Sequence, residues 1–260
     1  MIELHMVTWN RPKITELVLK TIRRNINSND YILKVWDNGS DKETVDMLGR
    51  MLEGGYIDLL IPATENVGLE EARQQLLTGG GGTITEFFVD IDNDCLPPKN
   101  WLQDQVDLMY KYEDYAAISQ RTQVMIGTGN IFEETDVLGK DLTDFEHPGG
   151  SFRMMRTSAV LEVGGWDRGA PGRGSEERYI CGKLRSAGYK TAFANKIQCL
   201  HLFGLPDTDR WGYDKDMKPE ETGHSDIWHP ALANGDDPVE IKKYSGKVLT
   251  DAYCNNQKVS

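Results

Sequence analysis

Asp90, Asp92 and Asp94 stand at alternate positions where the apolar run ITEFFVDI ends. Strand side chains alternate between faces, so three acids at this spacing cannot share a purely buried face without a large desolvation cost. Carboxylates gathered at a strand end favour a hard cation between them. An Asp-x-Asp spacing lets one carboxylate bind Mg²⁺ or Mn²⁺ while the other takes a sugar hydroxyl or a bridging water. Without a cation, the same residues read as an Asp-rich turn before Leu96-Pro97-Pro98. A second acidic pair, Glu176-Glu177, follows a glycine-rich stretch and opens a helical pattern. Acids there stabilise a helix N-terminus through the macrodipole. They also suit a general base, because paired acids raise one pKa toward neutrality. His201, in LHLFG, is either a packed residue or a metal ligand. His147, beside Pro148-Gly149-Gly150, and His224 and His229 near the C-terminus carry less information.

These residues need a scaffold, and the first hundred residues alternate strand-like and helix-like stretches. IELHMVTW reads as a buried strand. Pro12 suits a first helical position, and Ile14, Leu17, Val18 and Ile22 continue with helical spacing to about Asn27. YILKVWD is a second strand. Asn38-Gly39 marks a turn, and Ser40 with Glu43 forms a capping box for a helix through Leu52. YIDLLI is a third strand, Gly68 to Leu77 a third helix closed by glycines 79 to 82, and ITEFFVDI a fourth strand. Such alternation predicts a parallel sheet covered on both faces, with ligands bound beyond the carboxyl ends of the strands. The residues there are Thr8-Trp9-Asn10-Arg11, Asp37-Asn38-Gly39-Ser40, Asn66-Val67-Gly68 and Asp92-Asn93-Asp94. Further along, a helix from Trp101 to Tyr112, a strand from Tyr115 to Gln120 and the strand SFRMMR are expected. Thr157 is expected to cap a short helix ending at Gly164-Gly165. Ser175 is expected to start a helix to about Ala187, followed by two strands, KTAFA and KIQCLHL. Beyond Gly204 the chain is polar and Asp-rich, which suggests a tail or flap.

Composition narrows the class. The 260 residues, 39% hydrophobic and 27% charged, suit a soluble globular chain with a sizeable core. The net charge of −12 disfavours a nucleic-acid backbone or an anionic membrane surface as partner. No run of 18 apolar residues is present, so no membrane span is expected. The start MIELHMVTWNRP has neither a basic segment nor a long apolar one, which points to a cytoplasmic location. Cys95, Cys181, Cys199 and Cys254 form no C-x-x-C and read as reduced, mostly structural thiols. There is no G-x-G-x-x-G after the first strand, no Walker A loop, no G-x-S-x-G and no H-E-x-x-H.

In this order and spacing the pieces resemble the inverting family-2 glycosyltransferases of the GT-A fold. The segments that carry the resemblance are MVTWNRP, VWDNGSDKET, NVGLEEAR, VDIDNDCLPPKNWL, GGSFRMMRTSAVLEVGGWD and GSEERYICGKLRSAGYKTAFA. It covers about residues 2 to 204. It implies an α/β fold with a Rossmann-like, mostly parallel sheet. Residues 1–100 would form a nucleotide-binding half, 101–204 an acceptor-binding half and 205–260 a C-terminal extension.

The resemblance also implies roles. Thr8, Asn10, Arg11, Asp37, Asn66, Gly68, Arg73 and Asp92 would line the nucleotide pocket, with Asp37 reading a uracil-type base edge and Arg73 closing the base and ribose side. Asp92, Asp94 and His201 would hold Mn²⁺ or Mg²⁺; a register using Asp90 and Asp92 stays open. Gly149, Gly150, Ser151, Trp166 and Asp167 would flank the donor or acceptor sugar. Glu177, beside Glu176, would be the general base. The implied reaction moves a sugar from a nucleotide-diphosphate sugar, UDP favoured, to a glycan or other hydroxyl acceptor with inversion. A retaining transferase of the same fold, an inactive sugar-nucleotide or glycan-binding module, and an oligomeric state remain alternatives.

Overall fold

A computed structural model describes residues 1–26, 31–79, 85–122, 139–166 and 176–201. The elements run β1 (Ile2–Thr8), α1 (Pro12–Asn25), β2 (Tyr31–Asp37), α2 (Lys42–Glu53), β3 (Leu59–Pro62) and α3 (Leu69–Thr78). They continue with β4 (Phe87–Ile91), β5 (Cys95–Leu96), α4 (Trp101–Lys111), β6 (Tyr115–Thr122), β7 (Leu142–Asp144), β8 (Arg153–Arg156), α5 (Thr157–Glu162), α6 (Glu176–Ser186) and β9 (Lys190–His201). Among the described residues the strands join one sheet in the order β3-β2-β1-β4-β8-β6-β9-β5, with β7 on β9.

The half that carries the first acidic loop is parallel: β1 lies between β2 and β4, and β3 flanks β2. The sheet then turns mixed. β8 runs antiparallel to both β4 and β6. Residues 145–152 are all that join β7 to β8, and they contain no helix. β7 runs antiparallel to β9, which is parallel to β6, so β7 and β8 share one direction, opposite to β6. The expected KTAFA and KIQCLHL are one strand, β9. It pairs in parallel with β6 and absorbs a register shift between Gln120 and Arg121 that realigns Ala194 and Gln198.

Helices cover both faces, as expected for a βαβ chain. Ile14, Val18 and Ile22 of α1, Met47 and Leu48 of α2, and Trp101 and Met109 of α4 join Leu4, Met6, Leu33 and Val35 in the larger core cluster. On the other face Leu77 of α3, Val160 of α5, and Ile180 and Leu184 of α6 pack with Phe88 and Met155. The second face of β1 is buried but polar. Glu3 bonds both Lys34, at 2.7 Å, and His5, at 2.9 Å. His5 also stacks on Phe88 at 5.0 Å. Buried charge persists here because each group has a partner.

Two expected caps move. The cap of α2 is Asp41, whose carboxylate accepts from the Thr44 backbone N–H at 2.9 Å. Ser40 turns away, and its Oγ accepts from the Asn10 backbone N–H at 2.8 Å. Thr157 is the first residue of α5, and Arg156 before it makes no side-chain cap. Ser175, Asp167 and residues 205–260 lie outside the described residues.

Gly39 sits at φ +73°, and a Cβ there would lie 2.5 Å from the Glu65 carbonyl carbon and 2.7 Å from its Cα. Backbone cannot swing aside as a side chain can. Gly39→Ala is expected to cost at least ~1–3 kcal/mol, read as a lowered urea midpoint. An unchanged midpoint would show that this turn relaxes freely.

Candidate functional site

The carboxyl ends of β1, β2 and β4 and the N-terminus of α3 meet at one edge of the parallel half. Asn10 and Arg11 turn the chain out of β1 with φ of 56° and 61°, left-handed values that are rare outside glycine. Cross-loop bonds hold them there. The Asn10 Oδ1 accepts from the Asp41 backbone N–H at 2.9 Å, and the Thr8 carbonyl accepts from the Asn38 N–H at 2.8 Å. Asp37 is buried and its Oδ1 accepts from the Ser40 N–H at 3.2 Å. Asn38 donates to the Asn66 Oδ1 at 2.8 Å and accepts from the Val67 N–H at 3.0 Å. Asn66 in turn accepts from the Gly68 N–H at 3.0 Å. Thr8, Asn10, Asp37, Asn66 and Gly68 are therefore brought together by sequence-distant bonds, with Asn38 as the joint between them. Its Asn-Gly context reads as a turn, which hides that role in the sequence.

The acidic loop docks onto the same edge. Asn93 donates to Thr8 Oγ1 at 3.1 Å and to Thr15 Oγ1 at 3.2 Å. Its neighbours Asp92 and Asp94 separate into two environments. Asp94 Oδ2 accepts from Arg11 at 3.4 Å, and its Oδ1 lies 3.4 Å from His201 Nε2. Asp92 Oδ1 accepts from Arg73 at 3.2 Å, and its Oδ2 lies 3.4 Å from Ser151 Oγ. Burial pushes the Asp92 carboxyl up to about 7, with Asp94, Asp90 and Glu177 adding to the shift and Arg73 opposing it. Burial works against a charged His201, but Asp94 beside it prevails and raises its pKa.

Asp90 has a different task from its two neighbours. It is buried, with Arg73 Nε on one oxygen at 2.8 Å and Arg153 on the other at 2.7 Å. Both oxygens are engaged by guanidinium groups, so the register that would make Asp90 a cation ligand is not the one the fold builds. Two arginines resolve the cost of burying this acid, where spacing alone suggested a cation. Arg73 reaches into the acid cluster: Asp90, Asp92 and, at 3.9 Å, Glu176 surround its guanidinium. Burial disfavours its charge, but these acids outweigh that and raise its pKa. Trp166 is 5% exposed and lies under both guanidinium groups, 5.0 Å from Arg73 and 5.2 Å from Arg153.

Glu176 and Glu177 open α6, and Glu176 is buried. Gly150 is where they meet the acidic loop. A Cβ added to it would stand 3.1 Å from Arg73, 3.2 Å from Asp92 Oδ1 and 3.2 Å from Glu177 Oε1. Glycine thus permits a base candidate and a cation-ligand candidate to approach one point. Gly149 accepts from Ser119 Oγ at 2.7 Å, which fixes the loop.

Asp94, Cys95 and His201 present one ligand atom each, all within 4.8 Å of one another. A carboxylate oxygen, an imidazole nitrogen and a neighbouring carboxylate at Asp92 fit a divalent cation. Cys95 is a member that sequence reasoning assigned to structure. Its position beside Asp94 was the available signal.

The profile of glycosyl transferase family 2 matches residues 4–170. Comparison with curated proteins gives no significant sequence match. Among solved structures the chain is similar to the mannosyltransferase PcManGT from Pyrobaculum calidifontis in complex with GDP-Man and Mn²⁺. The TM-score is 0.63 and the identity 20%, with 77% of this chain and 56% of that chain covered. It is also similar to GalNAc-T7 with UDP, GalNAc and Mn²⁺. There the TM-score is 0.63 and the identity 15%, with 94% of this chain and 53% of that chain covered. The likeness is one of fold, and the chain spans a little over half the length of these two structures.

Proposed function

The chain belongs to glycosyl transferase family 2, and from that premise we propose that it transfers a sugar from a nucleotide-diphosphate sugar to an acceptor hydroxyl, with inversion and with Glu177 as general base. The observation that carries this reading is the convergence of Glu177 Oε1 and Asp92 Oδ1 at Gly150. A base and a cation ligand that reach one point can act on the two ends of one displacement.

The roles follow from position. Thr8, Asn10, Asp37, Asn66 and Gly68 form the edge that takes the nucleoside, with Arg11 reaching from it to Asp94. Asp92, Asp94 and His201 hold the divalent cation, Mn²⁺ or Mg²⁺. When bound, that cation offsets the negative charge that builds on the departing diphosphate. Both solved structures named above contain Mn²⁺. Glu177 takes the proton from the acceptor hydroxyl. The acceptor oxygen then bonds to the anomeric carbon as the bond from that carbon to the diphosphate oxygen breaks. The nucleoside diphosphate leaves with the electron pair. Gly149, Gly150 and Ser151 line the approach. Residues 1–100 supply the donor half and 101–204 the acceptor half. No helix among the described residues is long and apolar enough to cross a membrane. With a net charge of −12, a glycan or other hydroxyl acceptor suits this chain better than a nucleic acid.

Calorimetric titration of UDP, GDP and dTDP, with and without Mn²⁺, tests the reading. Mn²⁺-dependent binding of one of them is expected, with UDP first in order through Asp37. Asp94→Ala is expected to abolish that dependence. A folded protein that binds none of the three would overturn the reading in favour of a glycan-binding module.

Asp92 adds a pH signature. A carboxyl raised to about 7 holds its proton below that pH, and a cation must displace it. Mn²⁺ affinity is expected to fall as pH drops below ~7, with proton release on binding. The sign for the metal-free protein is opposite. The raised pKa favours folding at pH below the ordinary carboxylate value, and that contribution is lost as pH climbs toward 7. Calorimetry in buffers of different ionisation enthalpy reads the proton count. No proton release at mildly acidic pH would exclude Asp92 as the titrating ligand.

A further inference from the structure

We infer that the cation pocket at Asp94 is a mixed oxygen, nitrogen and sulfur site, with Cys95 as a ligand, that selects a zinc-type cation over manganese. This rests on the reading that the acidic loop holds a divalent cation, and it concerns which cation.

Cys95 lies on the two-residue β5, directly opposite His201 on antiparallel β9. That register places a thiol and an imidazole from different strands beside the carboxylate of Asp94. The sulfur is 3.7 Å from Asp94 Oδ1 and 3.3 Å from Ser151 Oγ, and Ser151 itself touches Asp92. On β9, Cys199 stands two residues before His201, and its Sγ donates to the Arg121 carbonyl at 3.5 Å. Both cysteines are fully buried. A buried cysteine that only fills space has apolar neighbours at its sulfur. This sulfur instead meets a carboxylate and a hydroxyl.

The donor set decides the preference. Manganese and magnesium favour carboxylate, carbonyl and water oxygens, whereas thiolate and imidazole favour zinc. Any nitrogen and oxygen site ranks zinc above manganese; a thiolate widens the gap. Coordination deprotonates the thiol, so the Cys95 sulfur binds as thiolate and its proton leaves to solvent.

Co²⁺ is the probe, because a thiolate ligand adds a sulfur-to-cobalt charge-transfer band in the near ultraviolet. The whole chain, freed of metal, is titrated with Co²⁺ and then with Zn²⁺ and Mn²⁺ as competitors. The expected result is a charge-transfer band that Zn²⁺ erases far more readily than Mn²⁺. The band should persist in Cys181→Ser and Cys254→Ser and vanish in Cys95→Ser. The zinc-over-manganese preference should drop at least ~10-fold in Cys95→Ser. Should Cys95→Ser not fold, Cys95→Ala and the wild-type spectrum decide instead. Co²⁺ binding without the band in the wild-type chain overturns the inference. If that chain still binds a nucleotide with Mn²⁺, the transferase reading stands and only the thiol ligand falls. If it binds neither cation nor nucleotide, both fall.

Discussion

Replacing Glu177 by Gln is expected to remove sugar transfer while donor binding survives. The amide keeps the shape of the side chain and its place beside Gly150, 3.2 Å from where a Cβ would stand. It cannot take a proton from an acceptor hydroxyl. Loss of a positioned general base lowers turnover by about 10²–10⁴-fold. The donor is held by the nucleoside edge and the acidic loop, neither of which contains Glu177, so the nucleotide titration curve should be unchanged. The measurement pairs calorimetry of the nucleotide with a transfer assay on the donor that calorimetry identifies. Full transfer by Glu177→Gln would eliminate it as the base and direct attention to Glu176, which lies 3.9 Å from Arg73.

The largest stability effect is expected at Asp90. Its two oxygens neutralise Arg73 and Arg153, whose side chains are 3% and 0% exposed. Asp90→Ala strands two guanidinium groups away from water. Removing one partner of a buried ion pair costs about 3–5 kcal/mol, because the remaining charge loses both solvent and counter-charge. Arg73 retains Asp92, so Arg153 bears most of the loss. For a domain of this size the Tm should fall by roughly 6–20 °C. Asp90→Asn keeps the volume and one acceptor and should fall between wild type and Ala. A Tm unchanged within about 1 °C would mean that water or a rearranged carboxylate replaces Asp90. The effect separates Asp90 from Asp92 and Asp94, whose replacement should weaken cation binding more than folding.

The half of the fold that holds the donor edge is legible in the sequence because its signals are local. Pro12 starts α1, Gly68 precedes α3, and mainly apolar runs mark β1, β2 and β4. Strand and helix alternation then predicts a parallel arrangement, and the residues that end each strand predict the site edge. The antiparallel insertion of β8 carries no such local mark. It is set by pairing with β4 on one side and β6 on the other, partners far apart in sequence. The fusion of KTAFA with KIQCLHL into β9 is likewise decided by pairing to β6 across a register shift.

For the site, the sequence by itself determined the chemical types: alternating acids at a strand end, paired acids at a helix start, and a histidine at the end of an apolar run. Tertiary structure decided which of them meet. Asp90, Asp92 and Asp94 look equivalent along the chain, yet Arg73 and Arg153, from distant segments, claim the first for the core. Cys95 reads as a structural thiol until antiparallel pairing sets it opposite His201. Glu177 reads both as a helix-start acid and as a base candidate, and its approach to Asp92 at Gly150 is visible only in the fold. Each outcome depends on partners far apart in sequence, so no local pattern of residues could have set it.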